Sequence, residues 1–257
     1  MPVLLLAGSL LLASCRPGGV LVTFRPDDGA RYSYRIEVAS ESVVEVPGDL
    51  PDTETDHVVL RADHHVLSHG QRGTRVEVRL HAADASPDEA PRTFVVTLDR
   101  SARLAAVELV ENVPAEALGE IGLSEIFPAA AGAPPDRRLR PGERWEVDER
   151  VQLPGGTDGR LRGYGRVEEL RVVDGTKAAV ITAALTLVVR RARRTALAGT
   201  QTTTSRSIHT VADGAVLESR SETFGDFTVP LPSPDGQGDP VIARLTVKLE
   251  AISTRNA

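Results

Sequence analysis

From Arg31 to Val38 the chain alternates in character residue by residue. Tyr32, Tyr34, Ile36 and Val38 fall on one parity, and Arg31, Ser33, Arg35 and Glu37 on the other. The same period of two recurs in Val76, Val78 and Leu80 against Arg75, Glu77, Arg79 and His81. It recurs again in Leu245, Val247, Leu249 and Ala251 against Arg244, Thr246, Lys248 and Glu250. Successive side chains of a strand point to opposite faces, so each segment buries one face and wets the other. That pattern belongs to antiparallel sheet. Strand-like runs also lie at 20–24, 57–67, 93–98, 103–110, 143–153, 161–173, 177–190, 200–211 and 215–229.

Turn residues punctuate these runs: Gly70-Gln71-Arg72-Gly73, Asp99-Arg100-Ser101, Gly155-Gly156, Asp174-Gly175 and Asp213-Gly214. One segment has another rhythm. Over 112–127 the apolar residues fall at Val113, Ala117, Leu118, Ile121, Leu123, Ile126 and Phe127. Asn112 can cap, Pro114 suits a first turn, and Glu116 complements the positive end of a helix dipole. A helix is expected there, weakened by Gly119 and Gly122. A Pro-rich connector, Pro128 to Pro141, follows it, and a second loop, Pro230 to Pro240, precedes the last strand-like run.

The chain also repeats itself. Gly29-Ala30-Arg31-Tyr32 matches Gly142-Glu143-Arg144-Trp145, Gly73-Thr74-Arg75 matches Gly175-Thr176-Lys177, and Asp99 before Leu104 matches Asp213 before Leu217. The expected fold is therefore mostly β: one large antiparallel sheet or half-barrel. It would be made of two pseudo-repeated halves, about 20–110 and 143–257, with one helix and the connector (112–142) between them.

The single cysteine, Cys15, ends the run Leu10-Leu11-Leu12-Ala13-Ser14-Cys15. One thiol forms no internal disulfide. The apolar stretch from Val3 to Leu12 is too short to span a bilayer, which takes about 20 residues, and has the length of a signal-peptide core. Leu12, Ala13, Ser14 and Cys15 together resemble the bacterial lipobox. That resemblance implies a signal peptide over 1–14, lipidation of Cys15, and a short tether over 15–19 ahead of a single domain, 20–257. It also implies attachment to the membrane in the bacterial cell envelope, outside the cytoplasm. No Lys or Arg precedes the apolar run, which departs from the usual signal-peptide pattern.

Two further features carry a wider resemblance: the Gly142/Trp145 strand start and the hairpin Asp174-Gly175-Thr176-Lys177-Ala178-Ala179-Val180-Ile181. With the segment 112–127 they resemble a bacterial lipoprotein family of unassigned activity with tandem antiparallel β halves. More distantly the pattern is similar to half-barrel envelope lipoproteins, the periplasmic lipoprotein carrier and mycobacterial lipid-binding types, whose sheets wrap an apolar cavity. The resemblance transfers no catalytic or ligand residue.

Composition narrows the partners. The net charge of −6 gives no footprint for nucleic acid, and a 41% hydrophobic share suffices for a core. Five of the six histidines fall between His57 and His81, so a metal set of His57, His65 and His69 is one alternative. Arg190, Arg191, Arg193 and Arg194 form a basic cluster that could touch anionic headgroups or simply guard a strand end. No Gly-x-Ser-x-Gly elbow or His-Glu-x-x-His is present, and Gly155-Gly156-Thr157-Asp158-Gly159 lacks the ending of a phosphate loop. The expectation is thus a protein without enzymatic activity or cofactor, anchored through Cys15, that binds an apolar or amphipathic ligand such as a lipid. Its lining would be the aliphatic face of Val76, Val78, Leu80, Ile181, Leu185, Leu187, Leu245 and Val247. The alternative is a structural or protein-interaction module of the envelope.

Overall fold

A computed structural model describes residues 19–71, 73–83, 90–99, 104–112, 133–153, 157–189, 198–231 and 240–256. They form eleven strands: β1 (Arg31–Glu45), β2 (Asp52–Gly70), β3 (Gly73–Ala82), β4 (Arg92–Leu98), β5 (Leu104–Glu111), β6 (Arg144–Leu153), β7 (Thr157–Val173), β8 (Thr176–Val189), β9 (Ala198–Thr210), β10 (Val216–Leu231) and β11 (Val241–Arg255). All belong to one open antiparallel sheet in the order β5-β4-β3-β2-β1-β11-β10-β9-β8-β7-β6. The chain starts in the middle of the sheet, meanders to the β5 edge, crosses to the β6 edge, and meanders back. The ladder between β1 and β11 joins the two meanders, from Tyr34–Arg255 to Glu45–Arg244.

The alternation read in the sequence is the alternation of burial. Tyr32, Tyr34 and Ile36 of β1 and Val76, Val78 and Leu80 of β3 are buried, while Arg35 and Arg79 between them are exposed. At the β7–β8 hairpin, Asp174 (φ 48°) and Gly175 (φ 77°) both lie in the left-handed region, as a two-residue turn matched to sheet twist requires. One expectation needs correction. Val20–Phe24 is not a strand of the sheet: it contributes one bridge, Val20 to Leu139, and is otherwise a covering segment. No helix occurs among the described residues, and the segment expected to be helical falls, beyond Asn112, outside them.

The internal repeat has a geometric counterpart. Gly29 and Gly142 have φ of 79° and 82°. Gly29 N–H donates to the Val66 carbonyl (2.9 Å) and Val66 N–H returns a bond to Ala30 (2.9 Å). Gly142 N–H donates to Val167 (2.6 Å) and Val167 N–H returns a bond to Glu143 (3.1 Å). The ladder slips just after each valine, at Val66/Ser68 and at Val167/Glu169. Strands β1–β5 thus correspond to β6–β10, displaced six places along the sheet and running the same way, with β11 filling the place between β1 and β10.

Each half has its own core on the same face of the sheet. Phe24, Tyr32, Tyr34, Ile36, Val66, Val76, Val78, Phe94 and Val96 make one cluster. Val22, Leu139, Trp145, Val147, Val167, Ile181 and Leu185 make the other. The segment 19–26 reaches both, placing Val22 in one and Phe24 in the other. Between the clusters the core face of β9 and β10 carries mostly hydroxyls, and Ser207, Ser219 and Ser253 stand in register on β9, β10 and β11, all buried, while β11 continues with Ala251, Leu249, Val247 and Leu245.

Trp145 lies flat over Gly165 of the neighbouring strand, and a Cβ built on Gly165 would overlap the indole. Gly165→Ala is therefore expected to displace Trp145 and destabilise the fold by about 1–3 kcal/mol. Gly70→Ala, where a Cβ meets nothing within 4 Å, is expected to change little. Urea unfolding midpoints of the two variants check the contrast.

Candidate functional site

The aliphatic residues expected to line a ligand cavity do share a face, but most of them are packed core. Val76, Val78 and Leu80 sit in the first cluster and Ile181 and Leu185 in the second, while Leu187, Leu245 and Val247 are half-buried further along the same face.

The cavity of about 640 Å³ lies across β9, β10, β11, β1 and β2, and none of those eight residues lines it. Strand parity places nine of its thirteen lining residues on the face opposite the two cores, while Ser40, Asp56, Thr223 and Leu249 have the core-face parity. Thr204, Glu222, Glu250 and Ala39 form one row of directly facing residues across four strands. Thr202, Phe224, Lys248, Glu41 and Thr55 form the next row, across five. Threonines and Ala39 make the low ground of this trough, and long side chains from β10, β11 and β1 stand up from it. The Phe224 ring is 45% exposed.

Charge in the trough is organised in short-range pairs. Arg220, from the row beyond, lies 2.7 Å from Glu250 and 3.5 Å from Glu222, and Lys248 lies 3.5 Å from Glu41. Glu222 and Glu250 face each other directly, an arrangement that costs stability unless a cation relieves it. The site was hidden in sequence because its residues occupy the polar parity, which reads as a solvent face. The available signal was β9, where Thr200, Thr202 and Thr204 alternate with Gln201, Thr203 and Ser205 and neither face is apolar.

A second polar group lies on the core face. Ser207 Oγ is 2.8 Å from His209 Nε2, and His209 Nδ1 is 3.2 Å from the Gly214 carbonyl. A carbonyl only accepts, so Nδ1 carries the proton and Nε2 accepts from the Ser207 hydroxyl. The pairing is that of a nucleophile and its base, yet both side chains are more than nine-tenths buried. It serves as a satisfied polar contact between a strand and its turn. Asp213, in the same turn, accepts from Tyr32 (2.9 Å), Thr210 and the Ala215 N–H. Burial alone would raise its carboxyl. The three hydrogen bonds and the nearby Arg255 charge outweigh that and hold it below the usual range. Burial lowers the His209 imidazole to about 4.

The alternative metal set is not brought together. His57 and His65 share a face of β2 but stand eight residues apart, roughly 26 Å along a strand. The register shift after Val66 turns His69 to the other face, where its Nδ1 lies 2.7 Å from Thr74 Oγ1. Among the described residues no three of His, Cys, Asp and Glu are grouped to hold a metal ion. Leu12, Ala13, Ser14 and Cys15, and the cluster Arg190, Arg191, Arg193 and Arg194, lie outside the described residues.

No family model and no curated protein matches the chain. Among solved structures the chain is similar to DynF from the dynemicin biosynthesis pathway of Micromonospora chersina. The identity is 12% over 93% of this chain and 86% of that one, with a TM-score of 0.22, too low to carry an argument about fold or function.

The burial of neutral His209 sets a pH dependence. Between pH 6.5 and about 4 the unfolded chain binds a proton that the folded chain refuses, so stability falls as pH drops through that window and levels off below it. The loss is expected to be on the order of 3 kcal/mol. His209→Gln should flatten this slope. The further loss from Asp213, which begins as pH falls below its unfolded value of 3.8, should remain. Unfolding free energies measured across pH 3 to 8 (approximate range) separate the two.

Proposed function

We propose that this chain is a lipid-anchored protein of the bacterial cell envelope that holds an amphipathic ligand in the trough on β9, β10, β11, β1 and β2. The observation that carries the reading is the cavity of about 640 Å³, whose lining joins an exposed phenyl ring to hydroxyl and carboxylate groups. A purely apolar ligand would strip water from those groups and return no hydrogen bonds, which is costly. An amphipathic ligand lays its body along Phe224 and its polar end on the Thr and Glu rows.

The anchor reading rests on the lipobox resemblance of Leu12-Ala13-Ser14-Cys15. Gly19 already sits in the fold, its carbonyl accepting from Arg138 (2.9 Å), and Val20 is bridged to Leu139. Three residues between Cys15 and Gly19 reach little more than about 10 Å, so acylation at Cys15 would hold the domain against the bilayer. Two acyl chains, at about 0.8 kcal/mol for each buried CH₂, anchor stably.

A second reading, an interaction module without a small ligand, is favoured by edge strand β5. There Val107, Leu109 and Val110 are each about 40% exposed beside an edge that no other strand pairs among the described residues.

Two measurements test the proposal. Labelled palmitate fed to expressing cells should mark the full chain, and Cys15→Ala should lose the label and leave the membrane fraction. Label on the Cys15→Ala variant sinks the anchor. Native mass spectrometry of residues 16–257, exported without acylation and purified without detergent, should show added mass from a bound amphiphile. A bare polypeptide mass favours the interaction module.

A further inference from the structure

The chemistry of the trough narrows the ligand further, on the premise that the ligand-binding reading is right. We infer that the trough takes an organic cation, an amine carried on an apolar body, with the amine at the Glu222–Glu250 pair and the body against Phe224.

Three observations converge on that class. The first is a charge imbalance around the cavity. On the trough face its lining contains three carboxylates, Glu41, Glu222 and Glu250, against one ammonium, Lys248. Arg220, the cation within 4 Å of Glu222 and Glu250, adds a second from the neighbouring row, which leaves one carboxylate in excess (3 − 2). The second is the register. Glu222 and Glu250 are directly opposed on adjacent strands, and the single Arg220 guanidinium divides itself between them, at 3.5 and 2.7 Å. A ligand ammonium placed over Glu222 completes what Arg220 supplies to Glu250. The third is Phe224, in the row next to Glu222 and two residues along the same strand. Its ring offers an apolar surface to a chain and a negative face to a cation. Thr202 and Thr204 flank both positions with hydroxyls that can accept from an ammonium.

The competing classes fit less well. An anionic amphiphile meets three carboxylates. An uncharged one desolvates Glu222 and leaves it only the longer share of Arg220, at 3.5 Å.

The test uses residues 16–257, which contain every described residue, and three fluorescent probes with nearly the same body. These are dansylcadaverine, its carboxylate counterpart dansyl-aminocaproate, and uncharged dansyl-pentylamide. Dansylcadaverine is expected to bind at least about fivefold tighter than the other two, in the range of a lost exposed ion pair plus a ring contact. Raising the salt should weaken its binding. The pair of substitutions Glu222→Gln and Glu250→Gln should erase the preference for the amine. Phe224→Ala should weaken all three probes, the amine by the largest factor. Both variants should stay folded, with cooperative unfolding, because Glu222 and Phe224 are exposed and Glu250 is half-buried.

Equal binding of the three probes, or tighter binding of the carboxylate, overturns the cation assignment and leaves the ligand-binding reading standing. Binding of none of them, together with a bare mass in native mass spectrometry, overturns both. A preference that survives the double substitution places the amine elsewhere and overturns the site.

Discussion

The fold depends on one long-range ladder, β1 against β11. Without it the chain is two separate meanders, one of five strands and one of six, each with its own core cluster. The ladder pairs residues about two hundred positions apart, and the entropy of closing so long a loop is met before the contact rewards it. Each meander is built from neighbouring hairpins and can form locally. The first and last strands then meet in the middle. The segment 19–26 adds a second tie between the halves through Val22 and Phe24. Its backbone presses so close to the β9–β10 turn that a Cβ on Gly214 would collide with the Thr23 carbonyl.

The same arrangement explains where the trough lies. The two cores sit under β1–β4 and β6–β8, where the repeats place their aliphatic residues. Strands β9, β10 and β11 lie between them; β9 and β10 carry mostly serine and threonine on the core face, and β11 carries Ser253 followed by Ala251, Leu249, Val247 and Leu245. Thr203 and Thr223 bond across that face at 3.0 Å. On the opposite face the same strands carry the threonine and glutamate rows of the trough. The cavity therefore occupies the junction of the two repeats, and a ligand bound there touches β9 and β10 of one repeat, β1 and β2 of the other, and β11 between them.

Much of this was legible in the sequence. Period-two alternation located the core faces of β1, β3 and β11, the turn residues located the hairpins, and Gly29/Gly142 with Tyr32/Trp145 marked the equivalent strand starts. The sheet order was not legible, because the pairing of β1 with β11 leaves no local trace. Val20–Phe24 has the composition of a strand, yet it lies where both neighbouring positions in the sheet are already filled, so it covers the core instead. His69 shares odd parity with His57 and His65, and the slip after Val66 moves it to the other face. Counting residues cannot anticipate a bulge.

The trough shows why an aliphatic stripe is a poor guide to a binding face in a sheet of this kind. The stripe that identifies a strand is the one the fold consumes: Val76, Val78, Leu80, Ile181 and Leu185 are each under 5% exposed and have no surface left to offer. On the proposed function, binding falls to the polar parity, where side chains are short enough to leave room. Thr202, Thr204, Thr55 and Ala39 meet that condition, and Phe224 stands among them, exposed because both core clusters of the described residues lie on the other face of the sheet. Affinity on such a surface comes from charge and hydroxyl pairing with one ring contact. A ligand recognised this way can leave without opening the core, as suits a sheet whose two halves depend on a single ladder at its centre.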